Sequence, residues 1–237
     1  MDKKYYSRDK FVNGCLLLVD KPLKWTSFQL VNKIKWLIKK KFDLQKIKVG
    51  HAGTLDPFAE GVLIVGTGID TKSLSKISNT SKSYKGRLKL GEETDTMDTE
   101  GKVVSKMPIP IIDSKYIDDV LKKFIGEFSH LPPMFSAKKI NGTRLYKLAR
   151  QNKTVDRKII TTNISNVKFR SFERVRISFE VSCSKGTYIR VLGNEIAKKL
   201  GTVGYLDQLT RIAVGDHKIS ESISINEFEN QWKSINS

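Results

Sequence analysis

One short segment, residues 50–63 (GHAGTLDPFAEGVL), combines residue types that acid–base or nucleophilic chemistry uses. A histidine, His51, and a carboxylate, Asp56, stand in a stretch with three glycines, just before an apolar run. A carboxylate acts as a nucleophile or as a base when a loop holds it against a reacting atom. An aspartate followed by a proline is also a frequent turn former. On these residues alone, both interpretations of Asp56 stay open.

No other segment carries an equally strong chemical signal. Residues 61–67 (GVLIVGT) have the glycine spacing of a phosphate-binding loop, but a threonine stands where that loop needs lysine. We therefore interpret them as a turn at the end of a strand. His51, His130 and His217 are scattered singly, without a thiolate or carboxylate at metal-ligand spacing. The sequence predicts no metal site.

The chain is strongly basic, with 43 Lys and Arg against 25 Asp and Glu and a formal net charge of +18. The surplus is concentrated: residues 1–50 hold 13 basic and 4 acidic side chains, and residues 138–158 hold 8 and 1. Concentrated positive charge favours a polyanionic partner, because neutralised phosphates release their condensed counterions. Nucleic acid is the favoured partner. A merely solvated cationic surface and an anionic membrane surface are the alternatives.

The cysteines and the apolar runs bear on where the protein works. Cys15 and Cys183 both lie in apolar runs, which predicts buried thiols in a reducing compartment. The longest apolar run is far too short to span a bilayer, and the N-terminal decapeptide lacks the hydrophobic region of a signal peptide. We therefore expect a cytoplasmic protein. A membrane partner is not expected, because no basic amphipathic helix stands clear of the core pattern.

Hydrophobic periodicity predicts the elements that must position these residues. Residues 14–19 are predicted to form a buried strand. A helix then begins near Thr26, which has capping-box spacing to Gln29. Four apolar side chains fall on one face of that helix, opposite its lysines: Leu30, Ile34, Leu37 and Ile38.

The rest of the chain mixes strands and helices. Residues 84–90 and 174–183 alternate with period two, as strands do. A further helix is predicted over about residues 188–200, ending at Gly201. Because no regular βαβ rhythm is visible, the sequence predicts an α+β fold with a mixed or antiparallel sheet. No repeat or linker interrupts residues 1–237, so one domain is expected.

Six motifs, in order over about residues 14–215, resemble those of the TruB-type tRNA pseudouridine synthases. They are DKPLKWTS (20–27), GHAGTLDP with GVLIVGTGIDTK (50–57 and 61–72), KSYKGRLKLGEETDTMDTEG (82–101), PPMFSAKKINGTRLYKLAR (132–150), CSKGTYIRVLG (183–193) and YLDQLTR (205–211). The resemblance implies a mixed, mainly antiparallel sheet flanked by helices, with an inserted basic RNA-gripping segment at about residues 130–158. It also implies isomerisation of uridine to pseudouridine at position 55 in the tRNA T loop, without a cofactor.

The resemblance implies a role for each site residue. Asp56 would be the catalytic carboxylate, acting as nucleophile or as base when the glycosidic bond breaks. Arg190 would be its salt-bridge partner, keeping it ionised and oriented. Tyr84 would stack on the extruded uracil and assist proton removal from C5. His51 would stand beside the vacated position, and Leu209 would close the apolar side of the pocket.

The remaining implied contacts are with the RNA substrate. Tyr188 accompanies Arg190 in its motif and is expected to bind the substrate with it. The predicted RNA-binding cations are Lys21, Lys138, Lys139, Arg144, Lys147 and Arg150. The T arm of tRNA would be recognised by its shape more than by its base edges. A monomer without an obligate protein partner is expected.

The chain departs from the family pattern at two places. Ala52 replaces the threonine that usually follows the family's histidine, and only 26 residues follow Arg211, so no C-terminal RNA-binding domain is expected.

Two other functions are alternatives. A non-catalytic tRNA binder or RNA chaperone would need the charge but no pocket carboxylate. A nucleoside hydrolase would use the carboxylate, would not need the concentrated basic patches, and would release free uracil.

Overall fold

A computed structural model describes residues 7–233 of the chain, so residues 1–6 of the basic N-terminal segment and residues 234–237 lie outside the described residues. The chain groups into two compact units. The first holds the residues up to Lys82 and from Thr210 onward, and the second is Ser83–Leu209. The expectation of one domain stays a prediction.

The elements alternate irregularly along the chain. The helices are α1 (Arg8–Asn13), α2 (Ser27–Phe42), α3 (Leu74–Ser78), α4 (Ser114–Lys122), α5 (Leu145–Ala149), α6 (Ile189–Lys199) and α7 (Ile225–Lys233), with 3₁₀ helices at Ile69–Lys72 and Ile219–Glu221. The strands are β1 (Gly14–Lys21), β2 (Val49–His51), β3 (Glu60–Gly68), β4 (Lys82–Leu90), β5 (Glu92–Thr94), β6 (Val103–Lys106), β7 (Gly126–His130), β8 (Lys139–Ile140), β9 (Thr143–Arg144), β10 (Ile160–Glu173), β11 (Arg176–Cys183), β12 (Gly204–Val214), β13 (His217–Lys218) and β14 (Ile223–Ser224).

The first unit is built on strands in the order β14–β1–β3–β12. β1 is antiparallel to β3 over its full length, and the outer pairs, β1 with β14 and β3 with β12, are parallel. The interpretation of residues 61–67 as a strand-end turn is wrong, because they lie inside β3 and all seven are buried. A continuous apolar run with neighbours on both sides is typical of a central strand.

Helix α2 packs one face on this sheet, as its periodicity predicts. Leu30, Ile34 and Ile38 are fully buried in one cluster with side chains of β1 and β3. The predicted capping box is present: Thr26 Oγ accepts from the Gln29 N–H at 3.1 Å, and the Gln29 side chain accepts from the Thr26 N–H at 2.8 Å. The helix is therefore fixed by its cap at one end and by apolar burial along its length.

The second unit has the strand order β12–β4–β11–β10–β7, with β12 contributing its residues up to Leu209. β11 pairs antiparallel with β10, and β10 with β7. The predicted strand over residues 174–183 is confirmed except at its start, because Arg174 has φ 57° and belongs to the turn before β11. Helix α6 is confirmed, and it stops where Gly201 adopts φ 85°.

Three further expectations bear on function. Cys15 and Cys183 are both buried, as predicted. Among residues 7–233, no group of His, Cys, Asp and Glu is placed to hold a metal ion. None of the helices in that described range is long and apolar enough to cross a membrane.

Candidate active site

Asp56 lies in the connection between β2 and β3, residues 52–59, called here the Asp56 loop. The Ala59 N–H donates to the Asp56 carbonyl at 3.1 Å, which closes a turn with Pro57 in its second position. The backbone of Asp56 thus forms the turn that an Asp-Pro pair predicts. Its side chain is half-buried, neither sealed in the core nor fully solvated. Turn formation and a chemical role are therefore compatible at this residue.

A buried serine fixes the backbone of the Asp56 loop at the residue before Asp56. Ser27, the first residue of α2, is 2% exposed. Its Oγ donates to the Leu55 carbonyl at 3.0 Å and accepts from the Leu55 N–H at 2.9 Å. One hydroxyl therefore satisfies both backbone groups of the residue before Asp56. Sequence reasoning missed Ser27, because a serine at a helix start reads as part of the cap.

A buried arginine holds the other side of the loop. Arg211 is 1% exposed, and its guanidinium donates to three carbonyls: Val62 at 2.7 Å from Nε, Gly53 at 3.2 Å from Nη2 and Thr54 at 3.4 Å from Nη1. β3 and β12 approach closely at this point. A Cβ on Gly61 (φ 106°) would come within 2.3 Å of the Arg211 carbonyl oxygen, so only glycine fits there.

Ser27→Ala is expected to lower the free energy of unfolding by about 1–3 kcal/mol, since it leaves two buried backbone groups of Leu55 without this partner. Urea unfolding followed by far-UV circular dichroism measures the change. Ser75→Ala is the matched control, because the Ser75 hydroxyl is exposed and makes only a long bond, 3.4 Å, to the Lys72 carbonyl. Equal stability of the two variants would show that Ser27 does not fix the loop.

Lys21 was predicted to contact RNA, but in the structure its side chain stabilises the fold instead. Its side chain is fully buried. The ammonium group donates to the carbonyls of Pro22 at 2.9 Å and Trp25 at 2.5 Å. A buried ammonium must be hydrogen-bonded to be tolerated, and these bonds tie down the segment between β1 and α2. A lysine without exposed surface has no phosphate contact to offer.

In the second unit, Arg190 is buried with its guanidinium bonded to three groups. Nη1 lies 3.4 Å from Asp98 Oδ2 and donates to the Thr96 carbonyl at 2.8 Å, and Nη2 donates to the Phe135 carbonyl at 2.8 Å. Thr96 and Asp98 belong to the acidic connection between β5 and β6, which pair as an antiparallel hairpin. Asp98 is the partner that sequence reasoning missed. The expected pair between Arg190 and Asp56 stays a prediction.

The two residues predicted to contact the uracil lie on adjacent strands of this unit. Tyr84 is buried in β4 and Leu209 is buried in β12, and β4 neighbours β12 in the sheet. His51 belongs to the first unit, where it ends β2 four residues before Leu55. The structure thus places His51 and Asp56 on one segment, and Tyr84, Leu209 and Arg190 together in the other unit.

Tyr188 is fixed by His130, a histidine for which the sequence predicted no role. The Tyr188 N–H donates to His130 Nε2 at 3.4 Å, and the two rings meet edge to face at 5.8 Å. His130 also stacks on Phe128 with ring centroids 4.6 Å apart. Burial lowers the pKa of His130 from its ordinary value of 6.5, which favours the neutral imidazole, whose unprotonated nitrogen can accept a hydrogen bond. His130 therefore positions the start of α6.

The basic segment, residues 130–158, presents its cations to solvent. It forms a short hairpin, β8 with β9, followed by α5, whose Leu145 is fully buried. Of the predicted RNA contacts, four are exposed and Lys138 is half-buried; the exposed ones are Lys139, Arg144, Lys147 and Arg150. The Arg150 guanidinium lies 5.5 Å from the centre of the Tyr146 ring. A buried anchor below exposed charges suits a surface that grips a phosphate backbone.

Comparison with known proteins gives a consistent result. The model of the TruB family pseudouridylate synthase N-terminal domain matches residues 39–189. The chain is 41% identical over 222 residues to tRNA pseudouridine synthase B of Phocaeicola vulgatus, covering 94% of each chain. It is 39% identical over 222 residues to the protein of the same name in Flavobacterium johnsoniae, covering 93% of this chain and 97% of the relative.

A solved structure supports the fold. A chain in the crystal structure of a Cbf5–Nop10–Gar1 complex matches 99% of this chain with a TM-score of 0.73 and 25% identity. The matched region is 60% of that longer chain. Together with the strand pairing described above, this confirms the predicted fold, a mixed and mainly antiparallel sheet with flanking helices.

Proposed function

Because the chain belongs to the TruB family of pseudouridylate synthases, we propose that it isomerises uridine to pseudouridine in tRNA, at position 55 of the T loop. The observation that carries the proposal is the Asp56 loop, in which Ser27 and Arg211 hold the backbone that leads to the half-buried Asp56. A protein that only bound RNA would need the positive charge but not a carboxylate so positioned.

The reaction requires little beyond a well-placed carboxylate. The N1–C1′ bond of uridine breaks, the uracil turns, and C5 joins C1′. The proton on C5 leaves to water and N1 gains one, so atoms and electrons balance without a redox partner. Asp56 acts as a nucleophile toward the base or sugar, or as a base toward the sugar. Either role needs the carboxylate ionised and well placed, and the bonds to the backbone of Leu55 and Gly53 fix the main chain from which the carboxylate projects.

The other site residues are proposed to hold the extruded nucleotide. Tyr84 stacks on the uracil and assists removal of the C5 proton, and Leu209 covers its apolar edge. His51 stands at the vacated position, and Tyr188 contacts the substrate beside Arg190, which is proposed to pair with Asp56. Exposed cations of the basic segment, such as Lys147, bind the T-arm backbone.

We also propose that the enzyme works as a monomer in the cytoplasm, without a cofactor or an obligate protein partner. The reducing compartment is supported by the burial of the Cys15 and Cys183 thiols in separate parts of the core. The presence of Nop10 and Gar1 in the crystal structure is a property of that Cbf5 complex. Light scattering of the purified protein, alone and mixed with tRNA, would reveal any assembly larger than a monomer.

Incubation of the purified protein with unmodified tRNA labelled with tritium at uridine C5 tests the function. Pseudouridine formation must release the label from position 55 to water, so we expect one equivalent per tRNA. A transcript with cytidine at position 55 is the matched control and should release none. Tight tRNA binding without release would leave only the binder or RNA chaperone. Free uracil in the supernatant would instead indicate a hydrolase.

A further inference from the structure

The outer face of α2 carries exposed aromatic side chains in a basic setting. Four residues at intervals of four, Phe28, Asn32, Trp36 and Lys40, are exposed and form one row along the helix, called here the α2 outer stripe. Phe28 is 70% exposed and Trp36 is 51% exposed. The core-facing side chains of α2 account for its packing, so the stripe contributes nothing to the core. Large aromatics left in water commonly mark a binding surface.

The charge around the stripe indicates which kind of partner it suits. Helix α2 contains five lysines and no acidic residue. Lys33 Nζ and Lys40 Nζ lie 5.1 and 5.0 Å from the centre of the Trp36 ring. Lys33 is also held by an ion pair with Glu229 at 3.1 Å, which fixes its direction. An aromatic ring with two ammonium groups close by can pack on a base or ribose while the cations contact phosphates.

The position of the stripe relates it to the proposed chemistry. Ser27, at the start of α2, is bonded to Leu55 beside Asp56, so the helix begins at the Asp56 loop. At a rise of 1.5 Å per residue, Trp36 and Lys40 stand about 13 and 20 Å farther along the helix axis. An RNA with one nucleotide at Asp56 therefore has its neighbouring backbone within reach of the stripe.

We propose that the α2 outer stripe is a second RNA-binding surface, separate in sequence from the basic segment. Trp36 and Phe28 pack on bases or riboses of the substrate RNA, and Lys33 and Lys40 neutralise its phosphates. The proposal rests on the proposed function for the identity of the RNA, a tRNA with its T loop at Asp56.

Affinity for an unmodified tRNA transcript, measured by filter binding over a range of salt concentrations, tests the proposal. Trp36→Ala is expected to weaken binding by about 10-fold, within the range found for one stacked base, and Trp36→Phe to restore most of it. Lys40→Gln is expected to reduce the slope of log K against log salt by about 0.7–0.9, the effect of one phosphate contact.

Matched controls come from α4, which has an exposed tyrosine and an exposed lysine. Tyr116→Ala and Lys122→Gln remove the same kinds of group at a site with acidic neighbours and should leave affinity and salt slope unchanged. If the Trp36 and Lys40 variants match these controls, the proposal is overturned. If they bind weakly while wild-type protein releases no tritium, the stripe stands and the catalytic proposal falls. If the wild-type protein releases tritium while the Trp36 and Lys40 variants bind tRNA as tightly as the controls, the catalytic proposal stands and the stripe proposal falls.

Discussion

Asp56→Asn is expected to slow tritium release from C5-labelled tRNA by at least about 1,000-fold, since the carboxylate charge is what the reaction uses. This factor corresponds to about 4 kcal/mol of transition-state stabilisation. The amide has nearly the same shape as the carboxylate, and the turn at Asp56 depends on its backbone carbonyl rather than its side chain. The variant is therefore expected to fold and to bind tRNA while failing in the chemical step.

Single-turnover release with enzyme in excess separates this loss from weak binding. Asp216→Asn is the matched control, because Asp216 is an exposed aspartate in the turn between β12 and β13 of the same unit. It removes one negative charge from the protein and should release tritium at the wild-type rate. If Asp56→Asn stayed within tenfold of this control, Asp56 would be a turn residue only, and the catalytic assignment would have to move to another group.

The elements that local periodicity determines were predictable from the sequence. Helix α2 has both its cap and its apolar face within sixteen residues, and β11 has four alternating side chains that are buried as expected. These patterns relate residues that are three or four positions apart in a helix, or two positions apart in a strand. The start of β11 was predicted too early, because Arg174 adopts a left-handed φ that a strand cannot contain.

The supports of the site could not be predicted, because they join residues far apart in the sequence. The hydroxyl of Ser27 meets Leu55 after 28 positions, and the Arg211 guanidinium meets Gly53 after 158. No local pattern encodes such a pair. Lys21 was misassigned for a related reason: lysines are almost never fully buried, so a basic residue in a basic segment is expected at the surface. Only the folded chain shows that carbonyls of its own turn satisfy its ammonium group.

Arg190→Met is expected to lower the free energy of unfolding by about 3–5 kcal/mol, because it leaves the buried Asp98 carboxylate without this cation. The two side chains are each only 3% exposed, so water cannot replace the lost partner. Carbonyl oxygens of Thr96 and Phe135 lose their donors in the same step. Arg190→Lys should recover only part of the loss, since an ammonium group lacks the planar fork that reaches these acceptors together. Urea unfolding of the three proteins measures the differences.

A double-mutant cycle with Asp98→Asn identifies the source of that loss. Asp98 Oδ1 accepts from Thr96 Oγ and from the Glu100 N–H, bonds that an asparagine oxygen can keep, so this substitution removes mainly the charge facing Arg190. In the Arg190→Met background the charge has lost the Arg190 cation, and Asp98→Asn should then cost at least about 1 kcal/mol less than in the wild type. Additive effects would mean that the ion pair between Arg190 and Asp98 contributes nothing to the stability. A large coupling would mean that the acidic hairpin fixes Arg190 before any substrate binds, so that the guanidinium needs no reordering when the uridine arrives.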